Sequence, residues 1–272
     1  MHGALAGIVL GAAGAAASGQ VIFLAADDDV LYRGTNSGVS DTFTVSDFIR
    51  GMGVVGGGAT VNGASTGDVI AVNRRLSGQD PIVVYRVDNA FSGTPTLVQI
   101  AEADQTFSDI AFANGKIYGV RTSAPDGVIQ LIEFDSDFNT LNNFFTNIPV
   151  FNAGAGGLAY NAGKDVFYVT DPDSDKIWEY PLGGAATEIG ATGVSYNNND
   201  LDHFKGTLYA AIHDESDDSF HFGRFGKGTG AWSSIVEIGP YLGGAVGLVV
   251  VPAPASAALL GLGGLVTMRR RR

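Results

Sequence analysis

The chain has 272 residues, 39 of them Gly and none Cys, with a formal net charge of −12. The absence of Cys excludes disulfide staples, thiolate metal sites and a Cys nucleophile. All the acids lie between Asp27 and Glu237, while four of the 16 bases form the run Arg269–Arg272. The body is therefore more acidic than the whole and repels phosphate backbones, which excludes nucleic acid as a partner.

Residues Ala4–Ala17 contain only Gly, Ala, Leu, Ile and Val, and Ala15-Ala16-Ala17-Ser18 follows the small-residue pattern of a signal-peptidase site. An apolar run this short falls below the ~20 residues of a membrane-spanning helix. Residues 1–19 are expected to be a secretory signal peptide, although Met1-His2 supplies no basic n-region.

From residue 20 to 251 the chain reads as one all-β domain. Apolar residues alternate or run in short groups between Gly, Asn, Asp and Pro, which is the pattern of many short strands. A phrase of a turn residue followed by apolar and aromatic residues recurs around Tyr32, Ile70, Tyr118, Tyr168 and Tyr209, spaced by 38, 48, 50 and 41 residues. A second phrase precedes three of these, as in Asp109-Ile110-Ala111-Phe112, and a third follows, as in Lys176-Ile177-Trp178-Glu179-Tyr180. Four short strands in a unit of about 45 residues describe a β-propeller blade. The expected fold is a β-propeller of five blades with about four strands each. No unit can bury its apolar face alone, so the copies must stack in a ring. Val246–Val251 repeats the first phrase without a successor, and is expected to close the ring beside Val30–Arg33. A β-sandwich or jelly roll is the competing architecture, but neither explains the period.

The segment Val166–Leu182, with its aromatic strand, Asp-rich turn and second strand carrying an aromatic, resembles blades of the NHL and YVTN propeller families. The resemblance implies the fold and no particular activity.

Within that segment Asp171, Asp173 and Asp175 stand at alternate positions, the spacing with which a calcium loop converges on one ion. Lys176 takes the place of the loop glycine and Leu182 that of the closing carboxylate. A hairpin turn with Asp side chains bonded to nearby amides explains the same residues. The acidic turn His213–Asp218 is open to the same two readings, cation binding or a solvated loop tip. His203, His213 and His221 fall on successive strands, and their spacing does not require the three-ligand convergence of a zinc site. Asp109 and Asp200 occupy the same place in the repeat, ahead of an inner strand. There they would serve either as turn caps or as channel carboxylates able to hold a cation or exchange protons. No nucleophile elbow, phosphate loop or dinucleotide fingerprint is present, and Gly51–Gly56 is merely Gly-rich.

Residues 252–272 follow a different logic. Pro252-Ala253-Pro254 precedes an uncharged stretch to Met268, which ends in Arg269, Arg270, Arg271 and Arg272. Arg is retained on the cytoplasmic side of a membrane by the cost of crossing hydrocarbon and by anionic lipid. This tail resembles the PEP-CTERM sorting signal of exported bacterial proteins, with Ala253 where that family carries Glu. The resemblance implies a transient transmembrane anchor, handling by an exosortase-like enzyme, and delivery to the cell surface or extracellular matrix. A plain tail anchor is the simpler alternative. Taken together, the sequence predicts an exported, non-catalytic propeller binding a polysaccharide or envelope protein. An extracellular propeller lyase or hydrolase using channel carboxylates is the alternative.

Overall fold

A computed structural model describes residues 21–73, 82–123, 127–149, 156–172, 174–244 and 246–253. The chain divides into two units, Ile22–Val251 and the terminal segments Met1–Val21 and Pro252–Arg272. The expected signal peptide, the apolar stretch and the Arg cluster lie outside the described residues, as do Pro254 and Asp173. Among the described residues no helix is long and apolar enough to cross a membrane.

The body is all β. Its strands are β1 (Val21–Thr35), β2 (Gly38–Val54), β3 (Val69–Asn73), β4 (Ile82–Asp88), β5 (Thr96–Ala103), β6 (Asp109–Ala113), β7 (Lys116–Ser123), β8 (Val128–Phe134) and β9 (Thr140–Pro149). There follow β10 (Leu158–Asn161), β11 (Val166–Asp171), β12 (Lys176–Tyr180), β13 (Thr187–Ala191), β14 (Tyr196–Phe204), β15 (Thr207–Asp214), β16 (Ser219–Phe225), β17 (Trp232–Pro240) and β18 (Val246–Pro252). Strands β6 to β9, β10 to β13 and β14 to β17 form three antiparallel four-stranded sheets, and the order β18-β1-β2-β3-β4-β5 forms a fourth. This is the β-propeller arrangement. β18 lies beside β1, so the last strand and the first share a sheet, while the stretch Val30–Arg33 named as its neighbour is paired on one side with Asp41–Thr44 of β2.

Two of the sheets share the same first turn. The two-residue loops Asn114-Gly115 and Lys205-Gly206 have positive φ at both positions, 50° and 79° in the first and 46° and 81° in the second. Those values define the type I′ turn that matches strand twist. They place Ala113 opposite Lys116 and Phe204 opposite Thr207.

The expected count of five separate blades is corrected to four sheets. The first two units are fused because β2 runs for 17 residues without a break. Its first half pairs with β1, from Gly38 opposite Thr35 to Thr44 opposite Val30. Its second half pairs with β3, from Gly51 opposite Val72 to Val54 opposite Val69. Register shifts opposite Asp28/Val30 of β1 and at Ile49/Gly51 of β2 mark the change between the two roles. A bulge adds one unpaired residue and increases the local twist.

The cores lie between sheets. Ile70, Val72 and Val84 of the six-stranded sheet pack with Ile110, Phe112 and Phe134 of the next. Tyr118 and Val120 pack with Leu158 and Phe167, and Ala159 and Tyr168 with Leu201 and Leu208. Phe222 on β16 stacks on Phe23 of β1 at 4.3 Å and on Tyr209 at 5.5 Å. A single sheet would leave each of these faces in water, so the apolar burial exists only in the stacked set.

Candidate functional site

The most unusual chemistry lies where β2, β6, β10, β14 and β18 approach one another. Met52, Ile110, Leu158, Leu201 and Leu248 stand one on each of these strands. Their N–H groups all reach the carboxyls of Asp109 and Asp200. Asp109 accepts from its neighbour Ile110 at 2.6 Å and from Leu158 at 2.5 Å. Asp200 accepts from Leu201 at 2.5 Å, Leu248 at 2.6 Å and Met52 at 3.1 Å. Inner strands of separate sheets do not form ladders with each other, so their amides need other partners. The two carboxyls supply them.

The approach is close because small residues line it. A Cβ on Gly51 would lie 2.6 Å from the Asp109 Cα, and one on Gly157 would lie 2.6 Å from the Leu201 nitrogen. Gly51 was legible in the sequence only as part of a Gly-rich run, and its role is this contact between β2 and β6.

Both carboxyls are at most 1% exposed, and they hydrogen-bond to each other. Two anions cannot share such a site, so one proton is held between them. Burial pushes Asp109 up to about 6, against the lowering effect of its hydrogen bonds. Burial, and then the charge of Asp109, hold Asp200 well above the usual carboxylate range. Two residues along β14, the partly buried Asp202 repeats the device by accepting from Val250 at 2.7 Å. Burial raises it to about 7.

The sequence placed Asp109 and Asp200 as turn caps or channel acids. They are closer to caps, but the amides they satisfy include those of neighbouring sheets. A general acid or base needs reach to a substrate proton. Here the oxygens are enclosed and engaged by backbone, so the pair is a structural keystone.

The predicted calcium residues are placed as follows. Asp171 is the last residue of β11, 1% exposed, and accepts a hydrogen bond from the Ser174 hydroxyl. Asp175 sits in the turn with φ of 52° and accepts from the Tyr196 N–H at 3.2 Å. Burial, with charges from Glu215 and Asp171, raises its pKa.

The histidines do not converge. His203 lies opposite Leu208 near the β14–β15 turn, while His213 lies at the far end of β15 and contacts Asn197. His213 stacks on Tyr241 at 3.7 Å and bonds to Asp218 at 2.9 Å. Burial lowers the His203 pKa. Asp27 is fully buried and accepts from the Leu242 N–H at 2.7 Å. Burial raises Asp27 to about 6. His221, on β16, belongs to a different group with Asp214 and Asp217. On the six-stranded sheet, a recess of about 420 Å³ lies between the turns at Asp68 and Asn89. Its Asp88 is paired with Arg86 at 2.6 Å.

No family model matches the chain, and no curated protein matches it. Solved structures do resemble it. A protein of unknown function from Bacteroides caccae superposes with a TM-score of 0.50 at 9% identity, over 85% of this chain and 99% of that one. A chain of the nidogen/laminin complex gives 0.49 at 11% identity, over 85% and 98%. At such identities the likeness concerns the fold alone.

Proposed function

We propose that this is an exported, surface- or matrix-associated β-propeller that binds a partner and performs no chemistry of its own. The observation that carries the reading is the condition of the axial carboxyls. The residues best suited to acid–base work in a propeller channel are already committed to holding the inner strands together. Ligand contact then falls to the faces and rims of the sheets, whose acidic surface suits a polysaccharide or an envelope protein and not nucleic acid. The PEP-CTERM-like tail, Pro252-Ala253-Pro254 to Arg272, supplies the address and names an exosortase-like enzyme as the processing partner.

Two measurements test this. Fractionation of the native host, with mass spectrometry of the mature C-terminus, should find the protein outside the inner membrane with an end near Pro252. An intact Arg272 in the inner membrane would leave only an anchor. Retention on a column of native matrix polysaccharide, without turnover on glycan or lactone panels, is the second expectation. Turnover that Asp109→Asn and Asp200→Asn abolish while the fold persists would replace this reading with the hydrolase or lyase.

A further inference from the structure

The β15–β16 hairpin brings three ligand-type side chains together, away from the axis. Asp214 ends β15, Asp217 lies in the turn, and His221 is the third residue of β16. One ligand atom from each lies within 4.8 Å of the other two. His221 Nε2 is 3.1 Å from Asp217 Oδ2 and 3.4 Å from Oδ1. Around a divalent ion with bonds of about 2.1 Å, ligand atoms stand roughly 3.0 to 4.2 Å apart. Small side-chain rotations bring the three atoms into that range.

The imidazole separates this group from an ordinary acidic turn. His221 is 8% exposed, and its ring is held from the other side, with Nδ1 3.1 Å from the Ser234 hydroxyl on β17. A bond from the second ring nitrogen to an outer partner is what orients a metal-binding His. Without a metal, an Nε2–H donates to Asp217; moving the proton to Nδ1, where the Ser234 hydroxyl can accept it, frees the Nε2 lone pair for a cation. Both carboxylates are braced as well. Asp214 accepts from the Ser216 N–H at 2.9 Å, and Asp217 from the Ser219 N–H at 3.0 Å.

The geometry points to a binding site for a first-row divalent transition ion, with His221 Nε2 and one oxygen each from Asp214 and Asp217 as protein ligands and water completing the shell. One imidazole with two carboxylates is a borderline donor set suited to zinc-class ions. Calcium takes six to eight oxygens and gains little from imidazole. The site is independent of the axial carboxyls and of the tail.

The test is calorimetric titration of the untagged full chain at neutral pH with Zn²⁺, and separately with Ca²⁺. We expect one equivalent of Zn²⁺, bound at least about tenfold more tightly than Ca²⁺. His221→Gln and Asp217→Asn should each weaken it by about tenfold or more, while His213→Asn leaves it unchanged. The Asp217 side chain is 49% exposed, so Asp217→Asn remains informative if His221→Gln does not fold. Circular dichroism of the metal-free variants separates lost binding from lost structure. Absence of saturable Zn²⁺ binding below about 1 mM, tighter binding of Ca²⁺, or affinity unaffected by Asp217→Asn would each overturn the assignment.

Discussion

Asp200 offers the sharpest test of the axial arrangement. Replacing it with Ala leaves the amides of Leu201, Leu248 and Met52 buried without their acceptor, at about 1–3 kcal/mol each. It also deprives Asp109 of its hydrogen-bond partner. The combined loss approaches the 5–15 kcal/mol that holds a typical domain folded. Asp200→Asn keeps the shape, an acceptor oxygen and a donor toward Asp109, and misplaces one N–H contact, for about 1–3 kcal/mol.

The two substitutions also differ from wild type in pH response. Folding raises the Asp109 and Asp200 pKa values above the unfolded value, so the native state binds more protons than the unfolded chain. The associated stability is complete below the unfolded pKa near 4 and is lost as pH rises through the folded values. The slope is at most about 1.4 kcal/mol per pH unit for each group. Asp27, raised to about 6, and Asp202, raised to about 7, act in the same direction. Urea titrations followed by the fluorescence of Trp178 and Trp232 should therefore show wild type more stable at pH 5 than at pH 8. The deficit of Asp200→Asn should shrink over that interval, because the variant has one fewer buried acid to ionise. Stability that rises from pH 5 to pH 8, or equal losses for Asn and Ala, would refute the shared-proton account.

Four further outcomes follow from the packing. Gly51→Ala drives a methyl into the Asp109 backbone and should cost about 1–3 kcal/mol, whereas Gly163→Ala, with only an Asn161 side-chain oxygen nearby at 3.4 Å, should stay within about 0.5 kcal/mol. Both are read from denaturant midpoints. Phe222→Ala removes the ring stacked between Phe23 and Tyr209 and should cost about 3–5 kcal/mol, visible as a thermal shift. Lys164→Ala breaks a 2.8 Å pair with Glu179 whose lysine is 55% exposed, and should change stability by less than about 1 kcal/mol. A chain ending at Gly244 lacks β18 and with it the Leu248 and Val250 donors to Asp200 and Asp202; size-exclusion chromatography should find it aggregated.

The strand repeat was legible because the sheets share the alternation of apolar residues, and two of them share the type I′ turn at Asn114-Gly115 and Lys205-Gly206. The fusion of the first two units was not. Nothing between Thr42 and Arg50 marks a break, and whether β2 serves one sheet or two depends on bulges set by tertiary pairing. Asp109 and Asp200 were visible as a repeated pair, but their partners are backbone amides up to 148 residues away, and an amide has no sequence signature. His221 and Asp217 stand four apart across the start of a strand. The acidic turn His213–Asp218 was readable as a cation loop, but His221 was joined to it only by the hairpin that places it beside Asp214 and Asp217.

The neighbourhood of β18 and β1 has a bearing on biogenesis. Three sheets can assemble from β6 to β17 alone, but the fourth lacks its β18 edge until the segment from Val246 is in place. Until then the amides of Met52 and Leu201 surround an acid whose final donor, Leu248, has not yet arrived. Pairings between such distant parts of a chain are slow to form and leave intermediates open to aggregation. Commitment to the native state thus waits on β18, and a chain that stops short of it is left as an unsealed arc.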